Sequence, residues 1–143
     1  MDSTPFKPYF RQLFSAANQT QPAKTVEVFG WIIFVEAGFM LISPAFVATV
    51  LHLPPLVEQA ENYFRLIGVL VGGLGMLYIA SGRMNAEGFV FASLLDRPLV
   101  PIIMFILWRL DILPGPLAAA FSVQDFASFL WTLSSWIRAH RSV

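Results

Sequence analysis

The chain has 143 residues, of which 57% are hydrophobic and 13% charged, about half the charged fraction of roughly 25% typical of soluble domains. A soluble fold of this size buries only about 70% of its surface and would show water many of its 14 Phe, 4 Trp and 5 Met, so the composition places the chain in a membrane. Zero cysteines exclude disulfides, Cys-ligated zinc, iron–sulfur clusters and thiol redox chemistry. Nine Lys+Arg against nine Asp+Glu leave no basic excess for nucleic acid.

Residues 1–25 are polar and carry Pro5, Pro8 and Pro22 without the early apolar run of a cleavable signal peptide, so the amino end is expected to be retained. Within them Phe6, Tyr9, Phe10, Leu13, Phe14 and Ala17 recur at helical spacing, while Lys7, Arg11 and Gln12 fall elsewhere. That pattern predicts an amphipathic helix lying in the membrane interface, with Pro8 in its first turn.

Residues 26–143 form the transmembrane domain in this reading. Spans are predicted near Val28–Leu51, Asn62–Ser81, Gly88–Leu110 and Leu117–Ile137, each close to the roughly 20 apolar residues that cross a bilayer. Pro44 either kinks the first span or starts a separate short helix, and Pro54-Pro55 ends it. The short connections fit antiparallel neighbours. The expected fold is therefore all-α, an antiparallel four-helix transmembrane bundle with an N-terminal interfacial helix. With the amino end inside, Lys7, Arg11, Lys24, Arg83, Arg138 and Arg141 collect on one side and only Arg65 and Arg109 toward the other, which puts both termini in the cytoplasm.

Charges interrupt or flank the spans: Glu36 in the first, Arg65 in the second, Asp96 and Arg97 in the third, Asp125 in the fourth. An unpaired charge at mid-depth costs at least about 2.5–3.5 kcal/mol, so partners are expected. Arg97 is predicted to contact Asp125 or Glu36, the surplus carboxyl being left to protonate, to pair with Arg65 or to bind something; Asp96 points about 100° away, toward Arg83 or water. Ser122, Asp125, Ser128, Thr132 and Ser135 recur every three or four residues as one polar stripe. The candidate buried polar site is thus Glu36, Arg65, Asp96, Arg97, Asp125 and Ser128, with Tyr78 as a further acid or base. On the second span Gly68, Gly72 and Gly75 share a face, Gly68 and Gly72 in a GxxxG spacing that favours close helix packing.

Several chemistries lack their residues. Both lysines, Lys7 and Lys24, precede the spans, so no retinal Schiff base forms within them. His52 and His140 fall at opposite faces, which disfavours haem or di-iron ligation. No Walker loop or dinucleotide fingerprint occurs. No cofactor, metal site or catalytic residue is assigned, and whether the chain is an enzyme stays open.

The stretches Leu41-Ile-Ser-Pro-Ala-Phe-Val with Leu53-Pro-Pro, Phe64-Arg-Leu-Ile-Gly68 leading to Gly75-Met-Leu-Tyr78, Asp96-Arg97 and Gln124-Asp125 resemble DoxX-like small four-span bacterial membrane proteins across about 85 residues. The resemblance implies a four-helix bundle in a bacterial inner membrane. Its members are functionally mixed, some resembling accessory subunits of quinone-linked oxidoreductases, so no catalytic role carries over. The leading expectation is an accessory or assembly subunit with a membrane-protein partner or as a homo-oligomer. The alternatives are a membrane enzyme or binder for a hydrophobic small molecule (a lipid, quinone or isoprenoid) at the charged cluster, and a proton or ion conductor.

Overall fold

The computed structural model describes residues 5–15 and 18–141, and every regular element among them is an α-helix. In chain order these are α1 (Lys7–Ser15), α2 (Gln21–Ile42), α3 (Pro44–Val50), α4 (Glu58–Arg83), α5 (Glu87–Asp96), α6 (Leu99–Arg109) and α7 (Gly115–His140). Three stretches are long and apolar enough to cross a membrane: α2, α4 and the 23 residues Glu87–Arg109 that α5 and α6 share. This is the make-up of a membrane protein. α7 matches α4 in length at 26 residues, and its sequence carries the polar stripe.

Local chemistry sets the helix ends. α2 begins at Gln21, seven residues before the expected Val28, because the Thr20 side chain accepts from the Ala23 N–H and Pro22 suits the first turn. It stops at Ser43, whose N–H still reaches the Phe39 carbonyl, since Pro44 has no N–H to continue; Pro44 instead opens the separate helix α3. α3, α4 and α6 then end alike. His52, Asn85 and Asp111 take left-handed backbone at φ 54°, 51° and 56°, and the next N–H bonds back five residues, from Leu53 to Ala48, Ala86 to Ser81 and Ile112 to Leu107. His, Asn and Asp are among the side chains that tolerate this conformation best. The third hydrophobic stretch is not one helix as expected but two. Pro98 denies Leu94 its usual donor and Pro101 denies Arg97, whose carbonyl takes the Val100 N–H at 3.3 Å instead.

The central contact joins α2 and α4. Ala23, Gly30 and Ala37 on α2 and Gly82, Gly75 and Gly68 on α4 each recur every seven residues, and they meet in that order. A Cβ added to Gly82 would lie 2.7 Å from the Ala23 carbonyl oxygen, one on Gly75 3.0 Å from that of Gly30, and one on Gly68 3.2 Å from that of Ala37. A seven-residue repeat keeps one seam facing its partner over several turns, so small residues at every step bring the two backbones together. Gly68 and Gly75 are buried as expected of a packing face, whereas Gly72 stands at its margin, its Cβ position 3.4 Å from that of Ala37. Val26, Phe29, Ile33, Tyr78 and Val90 form the core beside this seam. α7 packs on α2 and α6, and α6 buries none of its own side chains.

Side-chain contacts gather four helix ends at one end of the molecule. Asn85, just past α4, accepts from the Thr20 N–H at 2.7 Å and donates to the Asn18 carbonyl. Glu87 at the start of α5 lies 3.5 Å from His140 at the end of α7. α1 is fastened there too, by Gln12 donating to the Met84 carbonyl, while Phe6, Tyr9, Phe10 and Phe14 stay exposed. Ala17, the last member of the expected amphipathic stripe, lies outside the described residues.

Candidate functional site

A groove of about 350 Å³ opens among α2, α3, α4 and α7, within the 300–1,000 Å³ usual for small-molecule sites. α3 begins at Pro44, and its Phe46 and Val50 wall one side, with Met40 of α2, Phe64 of α4 and Phe121 of α7 supplying others. Glu36 is the one charged residue in the lining and Gln124 its one amide. The two hydrogen-bond each other, Gln124 Nε2 donating to Glu36 Oε2 at 3.0 Å. One N–H of that amide, its oxygen and the other carboxyl oxygen have no further bond among the described residues, so an apolar groove has a small polar end with both donors and acceptors.

A second polar centre lies deeper and is sealed. Arg97 at the end of α5 has no exposed surface. Its Nη1 donates to the Thr132 hydroxyl at 2.8 Å and to the Ser128 carbonyl at 3.2 Å, both on α7. The guanidinium carbon sits 4.3 Å from the centre of the Phe29 ring and 5.2 Å from that of Tyr78, where aromatic faces attract a cation. Thr132 and Thr25 hydroxyls are hydrogen-bonded at 2.8 Å, and Thr25 also reaches the Pro22 carbonyl at 2.7 Å, so a chain of bonds ties α5, α7 and α2 together. Nε and Nη2 of Arg97 have no acceptor among the described residues.

No match was found among protein-family models, curated proteins or solved structures. The site therefore rests on its own geometry.

That geometry divides the expected cluster. Arg97, Tyr78 and Ser128 come together, but the expected ion pair of Arg97 with Asp125 or Glu36 is not formed. The reason is axial position: the guanidinium is held at the level of Thr132 and Phe29, each seven residues and so about 10 Å along its helix from Asp125 and Glu36 respectively. Asp125 is half-buried on α7, its carbonyl accepting from the Ser128 hydroxyl. Arg65 joins neither centre. It pairs with Glu61 one turn earlier at 2.6 Å and donates to the Leu41 carbonyl. Asp96 is exposed and does not meet Arg83. Among the described residues no three His, Asp or Glu side chains gather as metal ligands.

Arg83 belongs instead to a network that the hydropathy pattern does not single out. Its Nε donates to Glu27 at 2.7 Å and its Nη1 to the Leu13 carbonyl at 2.7 Å. Glu27 also accepts from Gln19 at 2.7 Å and from the Trp31 indole at 3.3 Å. The ion pair joins α2 to the end of α4 and satisfies both charges where they leave water, and the bond from the same guanidinium to the Leu13 carbonyl fixes α1 there. The available signal was Glu27 four residues before Trp31 on one helix face.

Proposed function

We propose that this chain is a four-span inner-membrane protein that binds a lipid-like molecule with its tail in the groove and its head on Glu36 and Gln124. The spans are α2, α4, α5 with α6, and α7, arranged antiparallel with α1 in the interface. The descending pairing of α4 against α2 and the four helix ends gathered at one end support that topology. Arg83, Lys24 and Arg138 belong to that gathered end, which supports a cytoplasmic placement of both termini. The DoxX-like resemblance is part of the same proposal.

The observation that carries the binding reading is the groove itself, an apolar cavity of ligand size with one hydrogen-bonding pair at its polar end. Glu36 is its one charge and no cation lines it, so it favours a hydroxyl, amine or quinol-type head over a phosphate or carboxylate. Native mass spectrometry of protein released from mild detergent, with extraction of the same sample, tests this. A defined small molecule should accompany the wild type and be lost from Glu36→Leu and Gln124→Leu, while Thr49→Ala, outside the groove, retains it. Bare protein from several mild detergents and from native nanodiscs refutes the reading.

A further inference from the structure

On the α5–α6 stretch, Asp96 takes part in neither the groove nor the buried Arg97 centre. Asp96 lies nine residues after Glu87, about 14 Å along a stretch about 35 Å long, so it stands near mid-depth if that stretch is a span, on which reading the inference rests. It is exposed and joins no ion pair among the described residues. Leu95, Leu99, Ile102 and Ile103 beside it in sequence are each at least half exposed. A carboxylate on an apolar lipid-facing surface at that depth is costly, and such residues almost always face protein or a water-filled cavity.

Three kinds of cover differ in what they can supply. Lipid headgroups lie at the bilayer surfaces, well over 10 Å away. A second copy of this chain related by a two-fold axis passing at Asp96 sets Asp96 against Asp96, which is repulsive, and away from the axis the chain's own mid-helix cation, Arg97, cannot serve because it is sealed inside. Arg65 is engaged by Glu61, and Arg109 stands at the far end of α6. The complement left is a basic or strongly donating side chain from a different transmembrane helix, the arrangement by which polar residues join helices in lipid. We infer that Asp96 and the surrounding face of α5 and α6 form the docking surface for a transmembrane helix of another protein that presents a basic side chain at mid-depth.

The test uses labelled full-length protein in phosphatidylcholine vesicles with synthetic Leu/Ala host helices carrying a central Arg or a central Leu. Energy transfer should show the Arg host binding about tenfold more tightly than the Leu host, within the range that interhelical polar pairs supply, and the difference should vanish in Asp96→Asn and Asp96→Leu. Both substitutions are at an exposed site, and thermal unfolding checks that each variant is folded. Equal binding of the two hosts overturns the proposal, as does a preference that survives in folded Asp96→Leu. Self-association of the protein that depends on Asp96 overturns it in favour of a second copy. Polarised infrared spectra of the same vesicles separate the premises: helices lying flat on the membrane refute the span reading and the docking surface with it.

Discussion

Replacing Gly30 by Ala adds one methyl group in the middle of the α2–α4 seam, where the two backbones are in close contact. The new Cβ would stand 2.7 Å from the Ile79 amide nitrogen, 2.7 Å from Tyr78 Cβ and 2.9 Å from the Gly75 carbonyl oxygen. Two of these are backbone atoms and the third is fixed to the backbone, so no rotamer change relieves the contact. Reaching an ordinary separation near 3.4 Å moves the helices apart by about 0.7 Å, enough to forfeit a quarter to a half of the local dispersion energy. Overpacking of this kind costs about 1–3 kcal/mol, against a helix-propensity gain of about 0.5–1 kcal/mol, so a net loss of about 1–2 kcal/mol is expected. Gly73→Ala meets nothing within 4 Å and Gly72→Ala only Ala37 Cβ at 3.4 Å, so both should be neutral or gain about 0.5 kcal/mol. Reversible unfolding in mixed micelles, followed by the fluorescence of the four Trp, measures the series. Equal effects at Gly30 and Gly73 would refute the close-approach argument.

The same unfolding assay reads the sealed centre: Thr132→Val removes the acceptor at 2.8 Å from Arg97 Nη1 and should cost about 1.5–3 kcal/mol, a bond to a charged group, whereas Thr132→Ser should recover most of it. Arg83→Gln should loosen α1, because it removes the bond to the Leu13 carbonyl and leaves the Gln12 bond to Met84 to hold the helix; hydrogen exchange should rise at residues 7–15 and little in α4, and unchanged protection of α1 would refute Arg83 as its anchor. Vesicles containing the protein should leak protons no faster than empty ones, because the buried polar chain from Arg97 to Pro22 is closed by aromatic rings and carries a fixed positive charge. A flux abolished by Asp125→Asn would restore the conduction reading.

Hydropathy made the helical, membrane-type character legible, together with the interruption at Pro44, because both depend on composition and on one residue that cannot donate. The helix α2 starts seven residues before the span read from hydropathy, since Thr20 and Pro22 precede the apolar run and act through capping rather than hydrophobicity. The division of the third stretch turns on two prolines whose effect on the carbonyls of Leu94 and Arg97 is not visible in a hydropathy window. Gly68 and Gly75 were recognisable as packing residues, but a search at a spacing of four passes over the interval of seven that joins them to Gly82 and to Ala23, Gly30 and Ala37. Charge pairing fared least well. Depth along a span is calculable from sequence, yet the rotation and axial offset that send Arg97 to Thr132 and Glu36 to Gln124 depend on how the helices pack.

The break between α5 and α6 also has a mechanical meaning. A helix interrupted by two prolines bends at low cost, while the α2–α4 seam, locked by backbone contacts, does not. Arg97 sits at that joint and reaches across it to grip α7 at Ser128 and Thr132, so it works as a bolt through a hinge. Parting α5 from α7 would have to draw that bolt, stripping a charged group of its two acceptors, so the chain is fastened at the very place where its prolines make it easiest to bend.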